Sequence, residues 1–176
     1  MSEAMGSPDE RPSRTSGRSA AKQSTGNEIQ ERYLRRAISE INELGDELLA
    51  LGEELHVPVL GSGHPLGDVF LLKHPPAASE IQEGVAFFGR SGQALLKSLQ
   101  RLDVDPLAIY GTNCLKFAGA DEEQAREWLA REIHIVQPKL IVVMGQDALS
   151  CLNAVRFPLA AEIANQPGSI QKFTPT

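Results

Sequence analysis

Three short segments hold the side chains best able to do chemistry. They are Lys73-His74-Pro75-Pro76-Ala77, the glycine-framed stretch 84–92 around Phe87 and Phe88, and Tyr110-Gly111-Thr112-Asn113-Cys114-Leu115-Lys116. A carboxamide such as Asn113 both donates and accepts hydrogen bonds. A neutral imidazole such as His74 can take up a proton near pH 7. Lys73, Arg90 and Lys116 are cations suited to phosphate, and Phe87 offers a flat aromatic face. Each has a plainer reading: a Phe between glycines belongs to a core, an Asn at a strand end makes a turn, and a loop His is solvated. Position along the chain has to decide between the two.

The elements that would position these residues follow from hydrophobic periodicity. Val69–Leu72 is a short, fully apolar strand, Ala108–Asn113 a second and Leu140–Met144 a third, ended by Gly145. An apolar run, Val57–Leu60, stops at Gly61-Ser62-Gly63-His64-Pro65. Between the strands, Ser91–Leu102 repeats Leu95, Leu96, Leu99 and Leu102 on one side of a helix. Asp121 is placed to cap a helix running to about Val136, with glutamates in its first turn to favour the dipole. Gln146–Val155 reads as a short helix. Strands alternating with helices predict an α/β fold: a three-layer α/β/α sandwich around a central four-stranded, mainly parallel sheet. In such sheets ligands bind beyond the carboxyl ends of the strands. Topology therefore collects Lys73–Ala77, Asn113–Phe117 and Gly145–Asp147 over one pocket, with the loop 84–92 leaving the first of them.

Bulk properties bound the rest. The 176 residues suffice for one domain with a sizeable core, and 41% hydrophobic and 23% charged residues are ordinary for a soluble protein. No apolar run approaches the roughly 20 residues of a membrane helix, and the first residues contain no apolar core of a secretory signal. Membrane partners are not expected; a cytoplasmic location is, with Cys114 and Cys151 as buried thiols. The sequence fixes no oligomeric state. Residues 1–27, rich in Ser, Gly, Pro, Arg and Glu, predict a disordered tail. Four cations against three acids give that tail about +1, leaving about −7 of the net −6 chain for residues 28–176. An acidic domain binds nucleic acid only where its positive charge is clustered. Residues 29–55 predict an amphipathic helix with Tyr33, Ala37, Ile41, Leu44, Leu48 and Leu51 or Leu55 in one stripe.

The order of motifs over residues 57–155 resembles the uracil-DNA glycosylase superfamily, nearest its iron–sulfur bacterial and archaeal branch. The branch's G-x-G-N-P turn corresponds to Gly61-Ser62-Gly63-His64-Pro65, and its G-E-A-P-G to Lys73-His74-Pro75-Pro76-Ala77. Its G-R-P-F-x-G-R-A-G corresponds to residues 84–92, its Y-x-T-N-x-x-K-C to residues 110–117, and its R-P-K-x-I-x-x-L-G-x-x-A to residues 137–148. The resemblance implies enzymes that hydrolyse the N-glycosidic bond of uracil in DNA for base excision repair, with single-stranded or uracil-containing DNA as partner. It implies that Phe87 stacks on the flipped base and that Asn113 reads the uracil edge.

The departures are as informative. His74 stands where the branch has the acid that orients water, which makes His74 the candidate catalytic base. Lys73 and Ala77 replace glycines that allow close approach to a ligand. Lys73, Arg90 and Lys116 are the candidate contacts to nucleic acid. A four-thiolate cluster finds no ligands: the branch's third and fourth cysteines correspond to Phe117 and Ala125, and its C-x-x-C is missing from residues 29–57. No cofactor or metal is expected. The late H-P-S-like loop, which brings a catalytic His and a wedge into DNA, finds no match before Thr176. The expectation is a diverged glycosylase-like protein with weak or absent catalysis. Two alternatives stand beside it: a non-catalytic pocket for a pyrimidine or nucleic-acid end, and an interaction module keeping only the fold. Lys73, Arg90 and Lys116 on one exposed face would favour nucleic acid; their dispersal would favour the last.

Overall fold

A computed structural model describes residues 16–55, 57–117 and 120–174. The elements are α1 (Ser16–Leu55), β1 (Ser62–Gly63), β2 (Val69–Lys73), α2 (Ala78–Glu83), α3 (Arg90–Arg101), a 3₁₀ turn (Pro106–Ala108), β3 (Ile109–Asn113), α4 (Glu122–Val136), β4 (Leu140–Met144) and α5 (Gln146–Ala154). The sheet order is β1-β3-β2-β4, with β3, β2 and β4 parallel and β1 antiparallel to β3. The chain divides at Arg35/Arg36 into two compact units. The first includes the start of α1, where Arg35 pairs with Glu31 at 2.6 Å, and the second holds the sheet.

Side chains alternate across the sheet and build a core on each face. On one face Phe70, Leu72 and Tyr110 meet Leu129, Ile133 and Val136 of α4 and Ala148 and Leu152 of α5. On the other, Leu71 and Ile109 meet Phe87 and, from α3, Leu95, Leu96 and Leu99. A third cluster joins Leu44 and Leu48 of α1 to Phe117 and Trp128. Helices thus cover both faces, the layering that the alternating pattern predicts. Asp121 caps α4 as expected, accepting from the N–H groups of Glu123 and Gln124.

Local pattern misses several features. Residues 16–27, read from composition as part of a tail, are helical and continue into the amphipathic segment, while residues 1–15 lie outside the described residues. Ala20, Ala21, Lys22 and Gln23 are good helix formers, and a helix already nucleated downstream extends through them at little cost. The apolar stripe buries Ala37, Leu44 and Leu48 but leaves Tyr33 and Leu51 exposed. The side chain of Leu55 lies outside the described residues. Leu102 falls one residue past the end of α3 and faces solvent. The six-residue helix α2 gave no periodic signal because it is less than two turns long.

Candidate functional site

Strand β3 ends on Asn113, in register with Lys73 of β2 and Met144 of β4. Asn113 is fully buried, and neither its Oδ1 nor its Nδ2 has a hydrogen-bond partner among the described residues. Leaving a buried amide unpaired costs about 1–3 kcal/mol. Two residues back on the same face is Gly111, and the Phe87 ring lies directly on it. A Cβ at Gly111 would come within 2.6 Å of that ring. Only glycine lets the aromatic settle against the strand beside Asn113.

Phe87 is held in an unusual backbone conformation, with φ of 59°. Glu80 of α2, 2% exposed, fastens it. Its Oε1 accepts the Phe87 N–H at 2.5 Å, and its Oε2 accepts the Ala77 N–H at 2.7 Å and Lys73 Nζ at 2.5 Å. The clamped Lys73 ammonium stands 5.5 Å from the centre of the Phe87 ring. A flat aromatic, an unpaired amide and a cation therefore converge at the carboxyl ends of β2 and β3. Such a set suits a planar heterocycle whose edge both donates and accepts. Glu80 and Gly111 escaped sequence reasoning, although a glutamate three residues after Ala77 sits at the spacing of a helix N-terminal acid.

The other sequence candidates lie apart from this group. His74 follows Lys73 and lines a different cleft of about 150 Å³, with Asp147, Ser150 and Cys151 of α5 and Arg126 of α4. Arg90 is exposed at the start of α3. Lys116 was expected to reach phosphate, and the structure corrects this: it is fully buried, its Nζ bonded to Glu132 Oε2 and Thr112 Oγ1, both at 2.5 Å. Glu132 also accepts from Tyr110 Oη at 3.0 Å. A buried carboxylate without a counter-charge is costly, so Glu132 claims the lysine. Burial first, then the Glu132 charge and its hydrogen bond, push the Tyr110 hydroxyl well above the usual phenol range. Lys73, Arg90 and Lys116 consequently do not share one exposed face. Another cleft, about 360 Å³, lies between α1 and the sheet, and its Tyr110 and Glu132 groups are already paired with each other.

The residues present do not fit a cysteine-ligated cluster. Phe117 and Ala125 are both buried among apolar groups, and the Phe117 ring centre is 5.7 Å from that of Trp128. Among the described residues no three or more His, Cys, Asp or Glu side chains converge. The two thiols instead face each other. Their hydrogen bond, followed by burial, raises Cys114, while the same bond lowers Cys151 against the opposing effect of burial.

The fold and this site define a class: a three-layer α/β domain with a buried aromatic ring and an unpaired amide at its strand ends. The sequence profile of the Uracil DNA glycosylase superfamily matches residues 60–172, and the chain belongs to that superfamily. It is similar to the Type-4 uracil-DNA glycosylase of Sulfurisphaera tokodaii, 27% identical over 97 residues, covering 50% of this chain and 44% of the relative. It is also similar to the Type-4 uracil-DNA glycosylase of Pyrobaculum aerophilum, 30% identical over 95 residues, covering 49% and 48%. The chain spans about half the length of the curated relatives it matches. These likenesses agree with the branch to which the five motifs point.

Proposed function

We propose that this protein is uracil-DNA glycosylase-like: the compact unit from Arg36 onward takes a uracil-type base displaced from DNA into the Asn113–Phe87 pocket, and hydrolysis there is weak or absent. The unpaired, fully buried Asn113 amide carries the reading. Its Oδ1 accepts the ring N–H of a pyrimidine and its Nδ2 donates to the adjacent carbonyl, so the bound base removes the penalty of an unpaired amide. Phe87 stacks on the base and offsets the cost of extruding it. Single-stranded DNA is the favoured partner because its bases are already unpaired. A cytoplasmic location accords with this reading, and no described helix is long and apolar enough to cross a membrane.

Excision needs an activated water and stabilisation of the departing uracil anion. His74, the candidate base, lines the cleft formed with α5. Glu80 is committed to two N–H groups and to Lys73, which itself stands over the ring that a base would cover. Entry of a base must displace that ammonium. The buried state of Lys116 and the capping by Lys73 favour, as second reading, a module that keeps the fold for protein contacts.

The test is binding of single-stranded oligonucleotides, otherwise of adenine and cytosine, carrying one uracil or one 3-methyluracil. The latter lacks the ring N–H that Asn113 Oδ1 would accept. Binding is read by fluorescence anisotropy beside an assay of uracil release. The expected result is a uracil preference that falls roughly ten- to hundredfold in Asn113→Ala, the scale of one bidentate base contact, with slow or undetectable release. Equal affinity of the wild type for both strands would overturn the pocket. Rapid release, lost in His74→Ala, would overturn weak catalysis.

A further inference from the structure

Helix α3 carries three cations and no acid: Arg90, Lys97 and Arg101. At about 100° per residue, positions 90, 97 and 101 fall within about 20° of one line along the helix. All three are exposed, and the opposite side of the helix is the one that packs Leu95, Leu96 and Leu99 on the sheet. Ser91, Gln93, Ser98 and Gln100 flank the line, also exposed and uncharged. The stripe therefore lies along the middle of the helix's free face, bordered by hydrogen-bonding groups.

What sets it apart is three cations in line on one helix face with no carboxylate partner. Arg35, Arg36, Arg126, Arg131 and Lys139 each pair with a carboxylate. None of Arg90, Lys97 and Arg101 forms an ion pair with a described residue. The nearest acids in sequence, Asp103 and Asp105, come after the helix ends, and the Asp105 carboxylate accepts the Leu107 N–H. The chain's net charge is −6, and would be −9 without these three residues. Three unpaired cations in line on so acidic a protein form a local electrostatic feature with an anionic counterpart.

The first turn of the stripe's helix touches the chain at Phe87, since a Cβ on Gly92 would collide with the Phe87 carbonyl oxygen. From Arg90 to Arg101 the helix rises about 16 Å. At the duplex rise of about 3.4 Å per strand that length spans roughly five phosphates of a stacked strand, and fewer of an extended one. We propose that the exposed face of α3 is a track for the sugar–phosphate backbone of single-stranded DNA, gripping the strand beside the nucleotide whose base enters the Asn113–Phe87 pocket. This rests on the pocket reading for the identity of the strand. It also supplies the clustered positive charge that Lys73, Arg90 and Lys116, being dispersed, do not.

The test measures affinity of the full chain for a uracil-containing and a 3-methyluracil-containing single strand across a range of NaCl concentrations. Wild type is compared with the triple variant Arg90→Gln/Lys97→Gln/Arg101→Gln and with Arg90→Lys/Arg101→Lys. Each lost phosphate contact should reduce the slope of log affinity against log salt by about 0.7, so the triple variant should be shallower by about 2 on both strands. The charge-retaining variant should keep the wild-type slope. An unchanged slope in the triple variant overturns the proposal, as does polyglutamate competing for dye-labelled protein as well as the oligonucleotide does. Asn113→Ala should erase the uracil preference and leave the slope intact, so failure of the pocket and failure of the track are read separately.

Discussion

Thr112 and Asn113 are neighbours on one strand, both wholly buried, yet they face opposite sides of the sheet and meet opposite fates. Thr112 looks toward α4, where Tyr110, Thr112, Lys116 and Glu132 satisfy one another. Asn113 looks toward the Phe87 side and is satisfied by no described group. The first set is complete without a ligand, so its role is to hold β3 against α4. The second is incomplete, whereas the other buried side-chain polar groups among the described residues are paired, and a group left unpaired at a cost in stability calls for a partner. The lysines repeat the contrast: Lys116 is sealed in the paired network, whereas Lys73 stays 22% exposed and stands over an aromatic face.

The contrast can be broken most forcibly at the paired side. Lys116→Met strands the Glu132 carboxylate and should cost about 3–5 kcal/mol in urea unfolding, with much of the loss recovered in Lys116→Met/Glu132→Leu. A loss below about 1 kcal/mol would mean that water already reaches this pair. Asn113→Leu, a substitution of similar shape, should move in the opposite sense. It removes an unpaired amide, so unfolding free energy should rise by about 2 kcal/mol while the uracil preference disappears. A destabilised Asn113→Leu would show that the amide is paired in solution.

Smaller effects sharpen the comparison. Lys73→Ala uncovers the Phe87 ring, and affinity for the uracil strand should rise roughly tenfold, about 1.4 kcal/mol, the range of a partly desolvated cation–π contact. Weaker binding would make Lys73 a ligand of the DNA instead. Tyr110→Phe should cost about 1 kcal/mol at pH 7 for one hydrogen bond. Its sharper signature is alkaline. The folded Tyr110 titrates well above the ordinary value of 10.0, so above about pH 10 the unfolded chain loses that proton first. Stability of the wild type should then fall as pH rises, and this contribution should vanish in Tyr110→Phe, as thermal melts between pH 8 and 11 would show.

Much of the fold was legible because it depends on local pattern. Apolar runs of four and five residues gave β2 and β4, leucine spacing gave α3, and Asp121 with its following glutamates marked the start of α4. The gathering of Lys73, Asn113 and Met144 at one edge was legible as well, since strand ends in a parallel sheet meet by topology. Partner choice was not. Nothing in the Tyr110–Lys116 segment says that Lys116 turns inward, because the carboxylate that captures it is sixteen residues on, in α4. Nor does the Lys73-His74 pair disclose that the lysine joins Phe87 while the histidine lines the cleft beside α5.

By itself, then, the sequence singled out Phe87 and Asn113 as candidates and showed Phe117 and Ala125 where the related branch has cysteines. Only the tertiary structure decided which polar groups are spent on one another and which are left over. Hydrophobic periodicity is a property of single segments, whereas burial and pairing of charge depend on segments distant in sequence. The energies at stake in that pairing, several kcal/mol for a buried ion and about 1–3 kcal/mol for an amide, are large enough to assign each residue to structure or to a ligand.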